Sequence, residues 1–360
     1  MSEVTFKSRV KQFWDWYSEC ASRFYETIED RRCGDLADEV SQKMADLFPH
    51  FVWVFGPGPD EVGGHSFTIS GNGVLDYQFL TEYWLAQAPE IEGWTFYCSR
   101  QPGDIHAVGE FRFDETSIAF EDTSFTATLD EENERVNIIL RNPSFAKLND
   151  NDLRMTAAFV VLDEILGEYG TGQWIGEIKA VETSSDDAQP VLQLRDFLHD
   201  LEIKYQWQKL PPTETSTLYQ FQPSSEPSTA RRGDILFGST CNFGIVKEFC
   251  NCDGDLPDPL AGFGADFVYV EFSSSVLPDG REVDFRADIA DEIGDLLKSA
   301  KIGRHIGGAF GAINSYIDFL LFDTQAGLEV IRSEMMKRNL PDGVAIHFFA
   351  KDKIDRSIVL

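Results

Sequence analysis

Two carboxylates and a histidine are the residues in this chain whose spacing best suits chemistry. Period-two alternation along three apolar runs brings them together. In Ser315–Phe322, Ile317, Phe319 and Leu321 suit a covered face and leave Tyr316 and Asp318 pointing the other way. The same parity in Val344–Ala350 sends Ile346 and Phe348 inward and His347 and Phe349 outward. In Asp266–Ser273 it sends Val268 and Val270 inward and Tyr269 and Glu271 outward. Tyr269, Glu271, Tyr316, Asp318 and His347 then share one open face of a sheet, with Arg304 or His305 beside them. Glu271, Asp318 and His347 suit acid–base work or the holding of a metal, and Tyr269, Arg304, His305 and Tyr316 suit ligand binding. The competing reading is a packed interface in which these polar groups satisfy one another. A register slip of one residue would disperse them.

The other constellations are weaker. Cys241, Cys250 and Cys252 have C-x8-C-x-C spacing, with no nearby histidine, and do not make the paired four-ligand pattern of structural zinc. Asp253-Gly254-Asp255 lacks the ligand spacing of a calcium loop. Gly262-Phe263-Gly264 and Gly303–Gly311 are neither a P-loop nor a dinucleotide fingerprint, and close backbone packing is their expected role. No nucleophile elbow and no H-E-x-x-H motif occurs. His50, His65, His106 and His199 occupy ordinary positions, and Trp14, Trp16, Trp53, Trp84 and Trp94 lie on apolar faces expected to enter a core. No metal or cofactor is specified.

The elements that must position the candidate face follow from the patterning. Asp266–Ser273, Phe285–Ala300, Arg304–Gly311, Ser315–Phe322, a helix capped by Thr324, and Val344–Ala350 give the order β-α-β-β-α-β, that of a ferredoxin-like fold. The first half predicts helices over 10–28, 36–47, 74–88 and 150–166, strands near 51–55, 65–70, 94–99 and 174–181, and a meander over 108–140. Residues 183–233 are rich in Ser, Thr, Pro and Gln around a short helical or extended piece at 191–209. The expected organisation is therefore α+β with two domains: 1–182, helices plus a mostly antiparallel sheet; a linker region, 183–233; and 234–360, ferredoxin-like.

With 360 residues and 42% hydrophobic content, the chain carries enough apolar material for two cores. Its 61 acidic against 31 basic residues give a net charge of −30. That field repels nucleic acid and anionic membranes, and no basic stripe counters it. The acidity suits a solvated surface; adaptation to salt, docking of a basic partner and nucleic-acid mimicry are the rival explanations. No apolar leader or membrane-length run is evident, and six cysteines in so long a chain fit reduced thiols, so a cytoplasmic setting is expected.

Ala88-Pro89-Glu90-Ile91-Glu92-Gly93-Trp94, Leu162-Asp163-Glu164-Ile165-Leu166-Gly167-Glu168 and the closing Tyr316-Ile317-Asp318…Ile346-His347-Phe348-Phe349-Ala350 resemble uncharacterised bacterial two-domain proteins of the domain-of-unknown-function kind. The resemblance spans about two-thirds of the chain and implies no activity. The functional expectation is a regulatory or immunity-type binding protein that meets a protein partner or self-associates. The alternative is a small-molecule hydrolase or isomerase using Asp318, Glu271 and His347.

Overall fold

A computed structural model describes residues 4–104, 109–113, 115–148, 150–183, 185–208, 210–222, 230–338, 340 and 343–360. His106 lies outside the described residues. Helices α1 (Phe6–Glu29) and α2 (Ala37–Leu47) open the chain. The Thr5 side chain caps α1 by accepting from the Ser8 amide, and Val10, Phe13, Trp14, Tyr17, Ala21 and Phe24 form its buried stripe. Strands β1 (Val52–Pro57) and β2 (His65–Ser70), helix α3 (Leu75–Ala86) and strand β3 (Trp94–Tyr97) follow. Then come β4 (Glu110–Phe113), β5 (Thr116–Ala119), β6 (Ser124–Asp130), β7 (Arg135–Arg141), α4 (Asn151–Trp174) and β8 (Ile175–Val181). The segment that reads as linker contains β9 (Gln189–Pro190), α5 (Leu194–Tyr205) and β10 (Thr217–Gln220). After it run β11 (Ile235–Thr240), α6 (Phe243–Asn251), β12 (Asp266–Ser273), α7 (Glu282–Ser299) and β13 (Gly303–Gly311). The chain closes with β14 (Asn314–Leu321), α8 (Thr324–Lys337), β15 (Ala345–Phe348) and β16 (Ile358–Val359). The content is mixed α and β.

The chain forms two compact units, and they are interleaved. One comprises residues 1–51, 75–93 and 215–360, the other 52–74 and 94–214. This differs from contiguous domains at 1–182 and 234–360, because composition marks polar stretches but not the places where a chain leaves a unit and returns.

The larger unit is built on a seven-stranded antiparallel sheet of order β10-β11-β13-β14-β12-β15-β16. Val268, Val270, Ile317, Phe319, Leu321, Ile346 and Phe348 pack on one face against Ile289, Ile293 and Leu297 of α7 and Ile331 and Met335 of α8. The parity read from the sequence matches this set. Asp323, and not Thr324, caps α8 by accepting from the Ala326 amide; Thr324 donates instead to Asp266 at 2.5 Å. The opposite face is covered as well. Phe249 of α6 meets Tyr269 and Phe349 at ring-centroid distances of 6.1 and 5.1 Å, and Phe79 of α3 carries the Arg304 guanidinium at 5.0 Å.

The smaller unit has sheets β1-β2-β3, β4-β5 and β8-β7-β6-β9. Its core joins Val136, Ile138 and Leu140 of β7 to Ala158, Val161, Leu162 and Ile165 of α4 and Leu194 and Leu198 of α5. Helix α4 is interrupted at Gly167, whose φ of 74° and ψ of 163° suit only glycine. The backbone groups freed there find partners. The Glu168 amide donates to Arg100 O at 2.9 Å, Gly103 N donates to Glu164 O at 2.8 Å, and the Arg195 guanidinium donates to Ile165 O. The buried Glu168 carboxylate accepts from Ser70 Oγ at 2.5 Å, Gly73 N at 2.9 Å and Arg100 N at 3.2 Å.

Candidate functional site

The sheet brings most of the expected residues together, then closes over them. Tyr269 pairs across β12 and β14 with Asp318, Glu271 with Tyr316, and Tyr269 across β12 and β15 with His347. Asp318 and Tyr269 are both fully buried and Tyr316 is 1% exposed, so the expected open face is filled at its centre. The filling group is Arg232, from the turn before β11. Its two Nη atoms donate to the Asp318 oxygens at 2.8 and 3.1 Å, a bidentate pair with both side chains 1% exposed. The guanidinium lies 4.8, 4.9 and 5.0 Å from the ring centres of Tyr269, Tyr316 and Phe349. Burial opposes the Arg232 charge most strongly, but the Asp318 carboxylate together with the Tyr219 and Tyr269 hydroxyls holds the pKa above the usual arginine value. Burial pushes the Tyr269 hydroxyl up to about 12. Asp318 is thus bound to an internal cation.

Glu271 and His347 remain partly exposed at one end of this row. His347 Nε2 lies 3.9 Å from Glu271 Oε2, while Nδ1 is 3.1 Å from Ser357 Oγ and Asn314 Nδ2 donates to Glu271 Oε1 at 2.9 Å. Burial first and nearby Asp234 second raise the Glu271 pKa; burial and the Arg231 charge lower that of His347. Arg304 and His305 lie apart from it. Arg304 is 3.7 Å from Glu82, and His305 sits on the α7-covered face, with its ring 5.7 Å from Phe319 and Nε2 2.8 Å from Gly307 O. Asp318 and His305 therefore separate from the set that alternation assembles: the first has an internal partner, and the second lies on the other face.

The remaining motifs have structural settings. All six cysteines are free thiols, and among the described residues no group of three His, Cys, Asp or Glu side chains is placed to hold a metal. Gly303–Gly311 is strand β13, in which Gly307 adopts φ 152°. Gly264, at φ 79°, lies so close to the Val4 carbonyl that a Cβ would sit 2.3 Å from it. His50 packs on Phe263, His65 on Trp94, and exposed His199 faces Glu202 at 3.4 Å. Trp14, Trp84 and Trp94 are buried; Trp16 and Trp53 are half-buried.

A cleft of about 570 Å³ opens beside α1 and α3, a size suited to a small molecule. Val10, Trp14, Tyr83 and Pro89 line it, with Lys7, Lys11 and Asp15 among the charged groups at its wall. Its charges are already engaged: Lys7 Nζ donates to Ala300 O at 3.0 Å and Lys11 Nζ to Asp15 at 2.6 Å. Glu271, Asp318 and His347 do not line it.

Alternation in the last third of the chain did not reach a second surface, because β10 and β11 sit in and beside the segment whose composition reads as linker. Phe237 of β11 opposes Phe310 of β13, with stacked rings 5.1 Å apart. Leu218 of β10 lies diagonal to Phe237, since Leu218 pairs with Ser239 and Gln220 with Phe237. Phe310 belongs to the face that α7 covers, yet Phe237 and Leu218 are 47% and 83% exposed. An apolar strip therefore extends beyond the helical cover to the β10 edge. The only signal in β11 was the short apolar run Ile235-Leu236-Phe237, whose alternation is broken by a register shift between Ile235 and Phe237. Comparison with protein-family models, with curated proteins and with solved structures finds no match to this chain.

Proposed function

We propose that this chain is a regulatory or immunity-type binding protein that meets a protein partner, a different protein or a second copy, through the outer strip of its seven-stranded sheet. The observation that carries the reading is the adjacency of exposed Leu218 and Phe237 on a face otherwise roofed by α7 and α8. Scattered apolar residues are ordinary on a surface, whereas adjacent ones beside an edge strand suit association. The net charge of −30 argues against nucleic acid or an anionic membrane as the partner, and no helix among the described residues is long and apolar enough to cross a membrane. A cytoplasmic setting is part of the same proposal. The neighbour order β13-β14-β12-β15 supports a ferredoxin-like reading of the C-terminal segment, with β10, β11 and β16 as extensions, and the two compact units support a two-domain reading. Co-purification of the tagged chain with its partner tests the function: Leu218→Asp and Phe237→Asp should each abolish it while the circular dichroism stays unchanged. Retention of the partner by both variants would defeat the proposal.

A small-molecule hydrolase or isomerase is the second reading, favoured by the 3.9 Å approach of the partly exposed Glu271 and His347. It requires the two to titrate together. If Glu271→Gln leaves the His347 titration unmoved, this reading fails.

A further inference from the structure

Two arginines are buried against the seven-stranded sheet, and they are treated differently. Arg232 has its bidentate carboxylate. Arg286, on α7, is 8% exposed and makes one hydrogen bond, from Nη1 to Tyr316 O at a long 3.3 Å. Its Nε is buried without a partner, and no carboxylate among the described residues lies within 4.0 Å of its guanidinium. Burial lowers its pKa by more than the field of the Asp318 carboxylate raises it, the expected cost of a buried charge with no counter-ion in hydrogen-bonding contact. The site is nevertheless shaped for this side chain. The guanidinium lies 4.5 Å from the Phe310 ring centre, and Gly308 makes room for it: a Cβ there would sit 2.1 Å from Nη1. Phe310 stacks in turn on exposed Phe237.

We propose that Arg286 is the charged anchor of the outer strip and receives a carboxylate carried next to an apolar side chain of the protein partner. This rests on the proposed function and adds the chemistry that the strip selects. The complementarity is of two kinds: a cation short of acceptors, and a ring pair continuing from Phe310 through Phe237 to Leu218. A partner carboxylate would supply the acceptors that the fold withholds, and its apolar neighbour would cover Phe237.

The test uses the full chain and two small probes, N-acetyl-L-phenylalanine and its neutral amide. Arg286 Nε–H, shielded from solvent, gives a reporter resonance in an arginine side-chain nuclear magnetic resonance spectrum, assigned by its loss in Arg286→Lys. The carboxylate probe should shift that resonance saturably and bind about tenfold or more tighter than the amide, a ratio expected of a charge-assisted hydrogen bond. Phe237→Ala should weaken it. Arg286→Met separates anchoring from folding: it should abolish the preference for the carboxylate while leaving the melting temperature unchanged or higher, because an unpaired buried charge has been removed. Equal binding of acid and amide would overturn the anchor while leaving the apolar strip, and with it the proposed function, standing. No shift with either probe, or a fall in melting temperature of Arg286→Met without loss of the preference, would also overturn it.

Discussion

Replacing Asp318 by Asn leaves the Arg232 guanidinium between three aromatic rings with no counter-charge. The pair is bidentate at 2.8 and 3.1 Å, and each side chain is 1% exposed, so solvent cannot take the place of the lost partner. Removing one member of such a pair costs about 3–5 kcal/mol, a large part of the roughly 5–15 kcal/mol that holds a domain folded. Arg232→Met should cost a similar amount by stranding Asp318. The double variant Arg232→Met/Asp318→Asn removes both charges and should cost far less than the sum, with a coupling of roughly 2 kcal/mol or more. Urea denaturation followed by circular dichroism and tryptophan fluorescence measures all three at matched slope. Single-variant losses below about 1 kcal/mol, or strict additivity, would refute the account of a mutually dependent pair closing the sheet face.

Three further outcomes follow from the same structure. Burial raises the Asp76 pKa to about 6, against an Asn242 hydrogen bond that lowers it. The unfolded chain ionises first, so this group lowers stability as pH rises from about 4 to about 6, by an amount on the order of 3 kcal/mol. Asp76→Asn should therefore gain stability relative to the parent above about pH 6 and not below about pH 4; a uniform loss at all pH values would contradict this. Gly167→Ala should destabilise the smaller unit by about 1–3 kcal/mol, because φ is 74° and the new Cβ would lie 2.8 Å from Pro102 Cδ and 3.0 Å from Arg100 O; an unchanged melting curve would speak against the helix break. Glu168→Gln should cost more than Ser70→Ala, about 2 kcal/mol or more against about 1, because the amide confronts donors that the carboxylate accepts; equal effects by urea titration would show that Ser70 is the only contact that matters.

The sheet was legible where period-two alternation is strong. Val268/Val270, Ile317/Phe319 and Ile346/Phe348 identify the covered face, and Tyr269, Tyr316, Asp318 and His347 fall opposite, because a strand's side chains can point only two ways. What covers that second face was not legible. Arg232 stands 86 residues before Asp318, beside a Ser/Pro-rich stretch, and nothing local in the sequence marks an ion pair closed over that separation. Strands β10 and β11 were hidden for a related reason: four- and six-residue strands flanked by polar sequence have little periodicity to display. Interleaving of the units was beyond reach, since helices at 6–29 and 75–86 carry amphipathic or apolar patterns that do not say which distant segment they pack on. The helix break at Gly167 had a signal, a glycine inside an apolar run, but its sequence neighbours do not reveal that residues 100–103 supply the missing hydrogen bonds.

The most direct test of the central claim places a photo-crosslinking benzoylphenylalanine at Phe237 and, as a control, at exposed Phe159 on the other unit. After illumination in an extract of its own cells, position 237 should give one discrete adduct with a single protein, a second copy of the chain included, while position 159 gives none. No adduct at 237, or the same adducts at both positions, would contradict a partner docked on the outer strip of the sheet.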